Sequence, residues 1–255
     1  MNGLGRTWAG AWSEAWANRR GFWFQVAVML VNDVIWIVFW YLFFDRVGEI
    51  RGWTVDELVL LFAILTTSAG FVLGLLANVR RIGELAATGG LDAVLTLPTA
   101  TLPHVLVRRI ETSNVGDLLF GVVLFAVLGD PTPARTALFV FGVACASAIM
   151  IGFLVLVGSL GFFVGRNEGG ELGFHALLLF SSYPVDVFGG AAKVFLYTVV
   201  PAGFVTSVPT ELITDPDPAM ALAVATVASG VLVVGWLTFR AGLRRYTSGA
   251  VWTSA

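Results

Sequence analysis

Long uncharged runs alternate along the chain with short charged stretches, and the lengths of the runs define the expected elements. Residues 21–44 form a run of 24 broken only by Asp33, and residues 58–79 form a run of 22 without a charge. A weaker run covers 112–129 and carries Asp117 near its start. Residues 136–164 make 29 uncharged positions in a row, enough to cross a bilayer with tilt or to bend. A fifth run begins after Glu171 and stops at Tyr183–Pro184, and 219–239 is the last. A hydrocarbon core of about 30 Å requires roughly 20 apolar residues in helix, so each run reads as a membrane span. The expected fold is an all-α membrane protein with six transmembrane helices, forming one domain over residues 1–255.

Three pieces of the pattern do not span. In residues 1–20, Trp8, Trp12 and Trp16 recur every fourth position and share a helical face, while Arg6, Glu14, Arg19 and Arg20 keep the segment wet. That describes an interfacial helix, either a plain anchor or a lever touching a partner. Residues 78–113 read as a short helix, a Thr88–Gly89–Gly90 break, a second short helix over 91–97, then Pro98. Leu91, Val94 and Leu95 fall on one face, so this loop is expected to dock a protein or a lipid surface, or to pack as a connector. Residues 184–209 are almost wholly apolar yet are cut by Pro184, Pro201 and Pro209. The 16 residues between the first two prolines span about 24 Å of helix, too short to cross. A pair of short helices that dips in and turns back is expected, with its irregular backbone covered by protein.

Composition agrees with a lipid solvent: 57% of residues are hydrophobic and 13% charged, against about 25% charged in soluble domains. Nine Trp and 20 Phe supply interfacial aromatic belts. Charge then orients the spans. With both termini cytoplasmic, 11 of the 15 basic residues fall on the inner side and Arg46, Arg51, Arg135 and Lys193 on the outer. The positive-inside rule requires that asymmetry. A net charge of −2 without any basic tract gives no sign of nucleic-acid binding, and the single Cys145 excludes a disulfide framework.

Candidate chemistry is sparse. Lys193, the only lysine, sits in GGAAKV, so no phosphate-binding G-x-x-x-x-G-K-[ST] loop exists. H-E-x-x-H and G-x-S-x-G are absent, and His104 and His175 stand apart without Cys partners, so no metal or cofactor is expected in this chain. Asp33, beside Asn32, is expensive inside a span, so it faces either a substrate or a neighbouring helix. Thr66 and Thr67 either line a pathway or pack a helix interface. Phe174, Phe180 and Tyr183 are expected to form an aromatic face on the fifth span. Paired carboxylates suited to acid–base work are not expected within the spans. The motifs Gly70-x-x-x-Gly74 and Gly161-x-x-x-Gly165 predict close helix approaches.

Three stretches, in order, carry a family resemblance: R-R-I-G-E-L…G-G-L-D-A-V-L-T-L-P ending at Pro98, Y-P-V-D-V-F at 183–188 followed by V-V-P-A, and R-x-x-L-R-R-Y-T-S-G at 240–249. They resemble the ABC-2 type permeases, most closely the six-span bacterial branch described as ABC-2 family transporter proteins. The first matches that family's G-x-L-D-x-L-L-x-x-P loop at Gly90, Leu91, Asp92, Leu95 and Pro98.

The resemblance implies a permease subunit in a bacterial cell membrane that moves a drug, antibiotic, lipophilic cation or lipid outward. A separate ATPase dimer would hold the ATP and Mg, and a second permease chain would complete the pathway. Region 82–97 would be a coupling helix meeting the ATPase through Glu84, Leu85, Leu91, Asp92, Leu95 and Pro98. Residues 184–209 would be the short extracellular helices capping the pathway. Asn32, Asp33, Thr66, Thr67, Phe174, Phe180 and Tyr183 are the pathway candidates. The alternatives are a stand-alone secondary transporter or channel, opposed by the lack of a visible inverted repeat, and an intramembrane scaffold.

Overall fold

The computed structural model describes residues 3–97, 100–165 and 168–246, and these are helical with no named strand. Helix α1 (Gly3–Ala17) turns at Asn18, whose side chain accepts from the Gly21 amide and caps α2 (Arg19–Val47). Trp16 packs edge-to-face on Phe22 and Trp23 across that corner, while Ala11 is the α1 residue that is buried. Trp8 and Trp16 are exposed, whereas Trp12 packs against the buried Ala11–Phe22–Val26 cluster, so the tryptophan face of α1 is divided.

Helix α3 (Val55–Ala69) starts with a complete capping box, in which Thr54 and Glu57 satisfy each other's backbone amides. Every residue from Leu58 to Ala69 is buried. The helical path loosens into a π turn over Gly70–Leu75 and tightens into a 3₁₀ turn over Ala77–Arg81. The second run thus leaves α-helix at residue 70, well short of 79. Helices α4 (Ile82–Thr88), α5 (Asp92–Leu95) and α6 (Thr101–Leu106) build the following loop. Gly89, at φ 78°, supplies the left-handed cap that ends α4.

Helix α7 (Thr112–Leu128) packs against α2 and α3, and α8 (Pro133–Ser159) against α3. Short α9 (Gly161–Val164) precedes α10 (Glu168–Ser181). Then come α11 (Gly190–Thr198), α12 (Ala202–Val205), α13 (Ser207–Thr214) and α14 (Pro218–Leu243), the last lying along α8.

Glycines set the tightest approaches. Gly70 meets the Leu118 backbone and Gly74 meets Asn114, so the first small-residue motif is the α3–α7 seam. In the second motif only Gly161 makes an approach, to Gly83; Gly165 faces open space and ends α9.

By length and composition, four helical stretches can cross a membrane: Arg19–Val47, Val55–Leu75, Pro133–Val164 and Pro218–Leu243. Helix α7 has 17 residues and α10 has 14, both below the length that qualifies. The proline-cut stretch forms two apolar segments, Gly190–Thr198 and Ala202–Thr214, bent by 62° at Pro201. Counting that bent pair as a single span gives five.

Candidate functional site

Helices α2, α3, α7 and α10 border a half-open chamber of about 310 Å³. Helix α2 contributes Met29, Asn32, Asp33, Trp36 and Trp40, and α3 contributes Phe62, Leu65, Thr66 and Ala69. Asp117 of α7 closes one wall, and the end of α10 with the turn after it supplies Leu178, Leu179, Ser182 and Tyr183. The 3.6-residue period brings Asp33, Trp36 and Trp40 onto one face of α2, at spacings of three and four. The opposite face, including Phe24, Ile35 and Leu42, is exposed.

The aromatic wall is continuous. Trp40 packs edge-to-face with Tyr183 at 5.9 Å and tilted against Phe62 at 6.4 Å. Thr66 donates its hydroxyl proton to the Phe62 carbonyl at 2.7 Å, leaving the oxygen only as an acceptor.

The two acids expected to lie apart are neighbours. Asp33 and Asp117 sit within hydrogen-bonding reach of each other across the α2–α7 seam. Each has one oxygen held by a nearby asparagine: Asn32 Nδ2 donates to Asp33 Oδ1 at 3.3 Å, and Asn114 Nδ2 to Asp117 Oδ2 at 2.9 Å. Asp33 Oδ2 and Asp117 Oδ1 are buried without a donor. This corrects the expectation that the spans hold no carboxylate pair. The residues are 84 positions apart, so no local pattern announced it; the Gly70–Leu118 and Gly116–Met29 approaches bring α7 close enough.

The other pathway candidates divide. Asn32, Asp33, Thr66 and Tyr183 line the chamber. Thr67 turns instead to the seam, its Oγ1 directly against Gly121. Phe174 lies under the Arg80 guanidinium at 4.1 Å, and Phe180 packs on Phe188 at 5.6 Å. The fifth run therefore has no common aromatic face: at about 100° per residue Phe180 points about 120° away from Phe174, and Tyr183 lies past the end of α10.

The loop residues divide too. Leu91 and Val94 are buried with Val105, and Leu85, Phe162, Leu243 and Tyr246 pack around them. Leu95 is 42% exposed. The predicted shared face is corrected here: the inward face of this single turn is centred between Leu91 and Val94, and Leu95, about 100° past Val94, lands outside. Asp92 accepts a hydrogen bond from Tyr246 Oη at 2.7 Å, tying the loop to the chain end. Burial and that contact push the Tyr246 hydroxyl up to about 12. Glu84 is exposed and bonded to Arg81, which holds its carboxyl below the usual range. Pro98 lies outside the described residues. Beneath α1, a polar pocket of about 440 Å³ is lined by Glu14, Asn78, Arg81, Leu85, Arg108 and Arg109 among others.

The bent segment is fastened rather than loose. Pro184, Pro201 and Pro209 are all buried. Thr206 Oγ1 donates to the Ser181 carbonyl at the end of α10, and the Val185 amide donates to Ser207 Oγ. Asp186 accepts from Trp53 Nε1 at 3.1 Å and pairs with Lys193. Burial pushes the Asp186 carboxyl up, but the Lys193 and Trp53 bonds outweigh it and hold the group below its ordinary value.

Long apolar helices around a buried central helix define a helical membrane protein. The family model of the ABC-2 family transporter protein matches residues 30–250, and the chain belongs to that family. Membership makes it the membrane component of an ABC transporter rather than its ATPase. No curated protein matches the chain. No solved structure matches it either.

Proposed function

We propose that the chain is the permease subunit of an ATP-driven exporter, with the α2–α3–α7–α10 chamber as part of its pathway for a hydrophobic or amphiphilic small molecule. The chamber carries this reading: it is mostly apolar, and at about 310 Å³ it stands at the lower end of ligand pockets, which run roughly 300–1,000 Å³. Helices α7 and α10 complete six spans, with their short lengths offset by local thinning of the bilayer. Both termini face the cytoplasm of a bacterial cell, and the bent segment 184–209 caps the outer end. The exposed face of α2 meets lipid or a second permease chain.

An ATPase dimer carrying ATP and Mg docks on the outward surface of the 82–97 loop. Glu84, Leu95 and Leu97 are exposed there, whereas Leu91 supports the loop from inside. The test separates these roles. In membranes co-expressing an ABC-type ATPase that co-purifies with the wild-type chain, Leu95→Asp should abolish that co-purification while leaving the chain's thermal midpoint unchanged. Leu91→Asp should lower that midpoint, because it puts a charge into the Val94–Val105 cluster. Full ATPase recovery with Leu95→Asp would end the docking assignment. Cysteines near Arg19 and Asp215 test topology: an impermeant thiol reagent applied to intact cells should label only the second.

A further inference from the structure

We infer that the lipid-facing groove between α8 and α14, together with the arginines at the end of α14, is a binding site for one anionic phospholipid. An acyl chain lies in the groove and the phosphate meets Arg240. The site shares no residue with the α2–α3–α7–α10 chamber and does not rest on the permease reading.

Two observations meet there. The first is the groove. Gly152 and Gly235 let the two backbones approach so closely that a Cβ on Gly235 would stand 2.3 Å from the Gly152 carbonyl oxygen. Beside that seam runs a groove of about 290 Å³, lined by Ile151, Gly152 and Val155 of α8, Val233 and Trp236 of α14, and Leu102 of α6. Val233 and Trp236 are 52% and 46% exposed on a helix long and apolar enough to span, so the groove opens toward the bilayer. The second observation is the charge at its end. The fold splits the R-x-x-L-R-R-Y motif: Leu243 and Tyr246 pack inward on the Leu91–Val94–Val105 cluster, while Arg240, Arg244 and Arg245 stay exposed. Arg240, one turn past Trp236, lays its guanidinium over that indole at 5.1 Å. Arg244 follows one turn further along the same side. Among the described residues, no ion pair includes Arg240 or Arg244. A guanidinium held against the ring that walls an apolar groove selects a ligand with a phosphate at one end and hydrocarbon behind it. Trp236 and Arg240 are about 6 Å apart along the axis, so one lipid reaches both. A second copy of the chain fits less well, because a two-fold pairing through α14 would set these arginines against their own counterparts at the same depth.

The test uses the full chain in detergent micelles, with native mass spectrometry counting bound lipid. The probes are dioleoylphosphatidylglycerol, which is anionic, and dioleoylphosphatidylcholine, which carries the same chains without net charge. The wild-type chain should bind its first phosphatidylglycerol about fivefold more tightly than phosphatidylcholine, the advantage of one arginine beside an anionic headgroup. Arg240→Gln should remove that preference and leave phosphatidylcholine binding unchanged. Arg19 stacks on Trp16 in a similar way but has no part in the groove, so Arg19→Gln should keep the preference. Val233→Trp, on the exposed wall, should fill the groove and weaken both lipids alike. Unchanged affinities in Arg240→Gln or Val233→Trp overturn the proposal, and so does an equal loss in Arg19→Gln, which would reveal general attraction by surface charge. Displacement of the bound lipid by excess inorganic phosphate would reveal a soluble-anion site. Lipid-free dimers that Val233→Trp dissociates would place a second copy in the groove. Either result also overturns the proposal.

Discussion

Asp186, half-buried beside Lys193, and the fully buried Asp33–Asp117 pair are served by hydrogen bonds in opposite ways. Asp186 has both oxygens served, one by Trp53 and one by Lys193, and its partners join the α2–α3 connection to the bent segment. The pair has an asparagine on each member and, between the members, two oxygens with no donor. A buried acid with its partners supplied by the fold is a fastening. Where the fold brings two acids within hydrogen-bonding reach, the remaining oxygens depend on a proton or a cation rather than on a donor built into the fold.

That difference can be attacked directly. The largest effect is expected from Gly121→Val on the α3–α7 seam. A Cβ there would come within 2.3 Å of Thr67 Oγ1 and 2.5 Å of the Thr67 backbone nitrogen, so α7 must shift away from α3. The cost should be about 1–3 kcal/mol in denaturation of the purified chain. A variant of full stability would show that this approach does not hold α7 against α3.

Next in size is a contrast between the two sites. Lys193→Met leaves the Asp186 carboxylate half-buried with only Trp53 as donor, and should destabilise the chain by about 1 kcal/mol or less, the pair being partly open to solvent. Asp33→Asn should leave stability unchanged or raise it, since an amide provides a donor that the pair lacks. Equal destabilisation by both substitutions would erase the distinction between the served carboxylate and the underserved pair.

Acid should undo the fastening in a defined window. The Asp186 carboxyl is held below its ordinary value, so its contribution is complete above the unfolded-state pKa, about 3.9, and fades as pH falls through the lower folded value. Trp53 emission should therefore stay constant from pH 7 down to about 4 and change only below that. In Lys193→Met the change should move to higher pH. An unshifted profile would show that the lysine does not set it.

The smallest effect should come from Tyr246→Phe, which removes the bond to Asp92. A net hydrogen bond is worth about 1 kcal/mol at most sites, and less where water competes. Raising the pH imitates the change. With its pKa raised to about 12, the Tyr246 hydroxyl contributes fully below about pH 10, and the contribution is lost as pH climbs through 12. Proteolysis within 82–97 is the readout; identical cutting of wild type and variant would show that the chain end does not hold the loop.

Much of this was legible in the hydrophobic runs. Periodic spacing marked the exposed Trp8 and Trp16 of α1, and the glycines at 70 and 74 marked a real seam. The helix break at Gly89 was readable because two glycines follow a threonine there. The ends of the runs were less legible. Uncharged composition continues to Val79, while the backbone has already changed to π and then 3₁₀ geometry, because hydropathy reports solvent and not hydrogen-bond register. A single-turn helix such as α5 cannot announce which of Leu91, Val94 and Leu95 faces inward, since adjacent candidates differ by less than a quarter-turn or so and the packing partner decides.

The sequence by itself determined the solvent, the helical class and the family, because each depends on composition, run length or ordered short motifs that local chemistry enforces. It also determined that Asp33 must be compensated, since an acid in a span is costly wherever it sits. Only the tertiary structure decided what stands opposite. Asp117 reaches Asp33, Tyr183 reaches Trp40, and Phe174 and Phe180 leave the chamber, through packing between helices far apart in the chain. Side-chain periodicity fixes a face, and the helix that covers the face is chosen by close approach at small residues such as Gly70, Gly116 and Gly121.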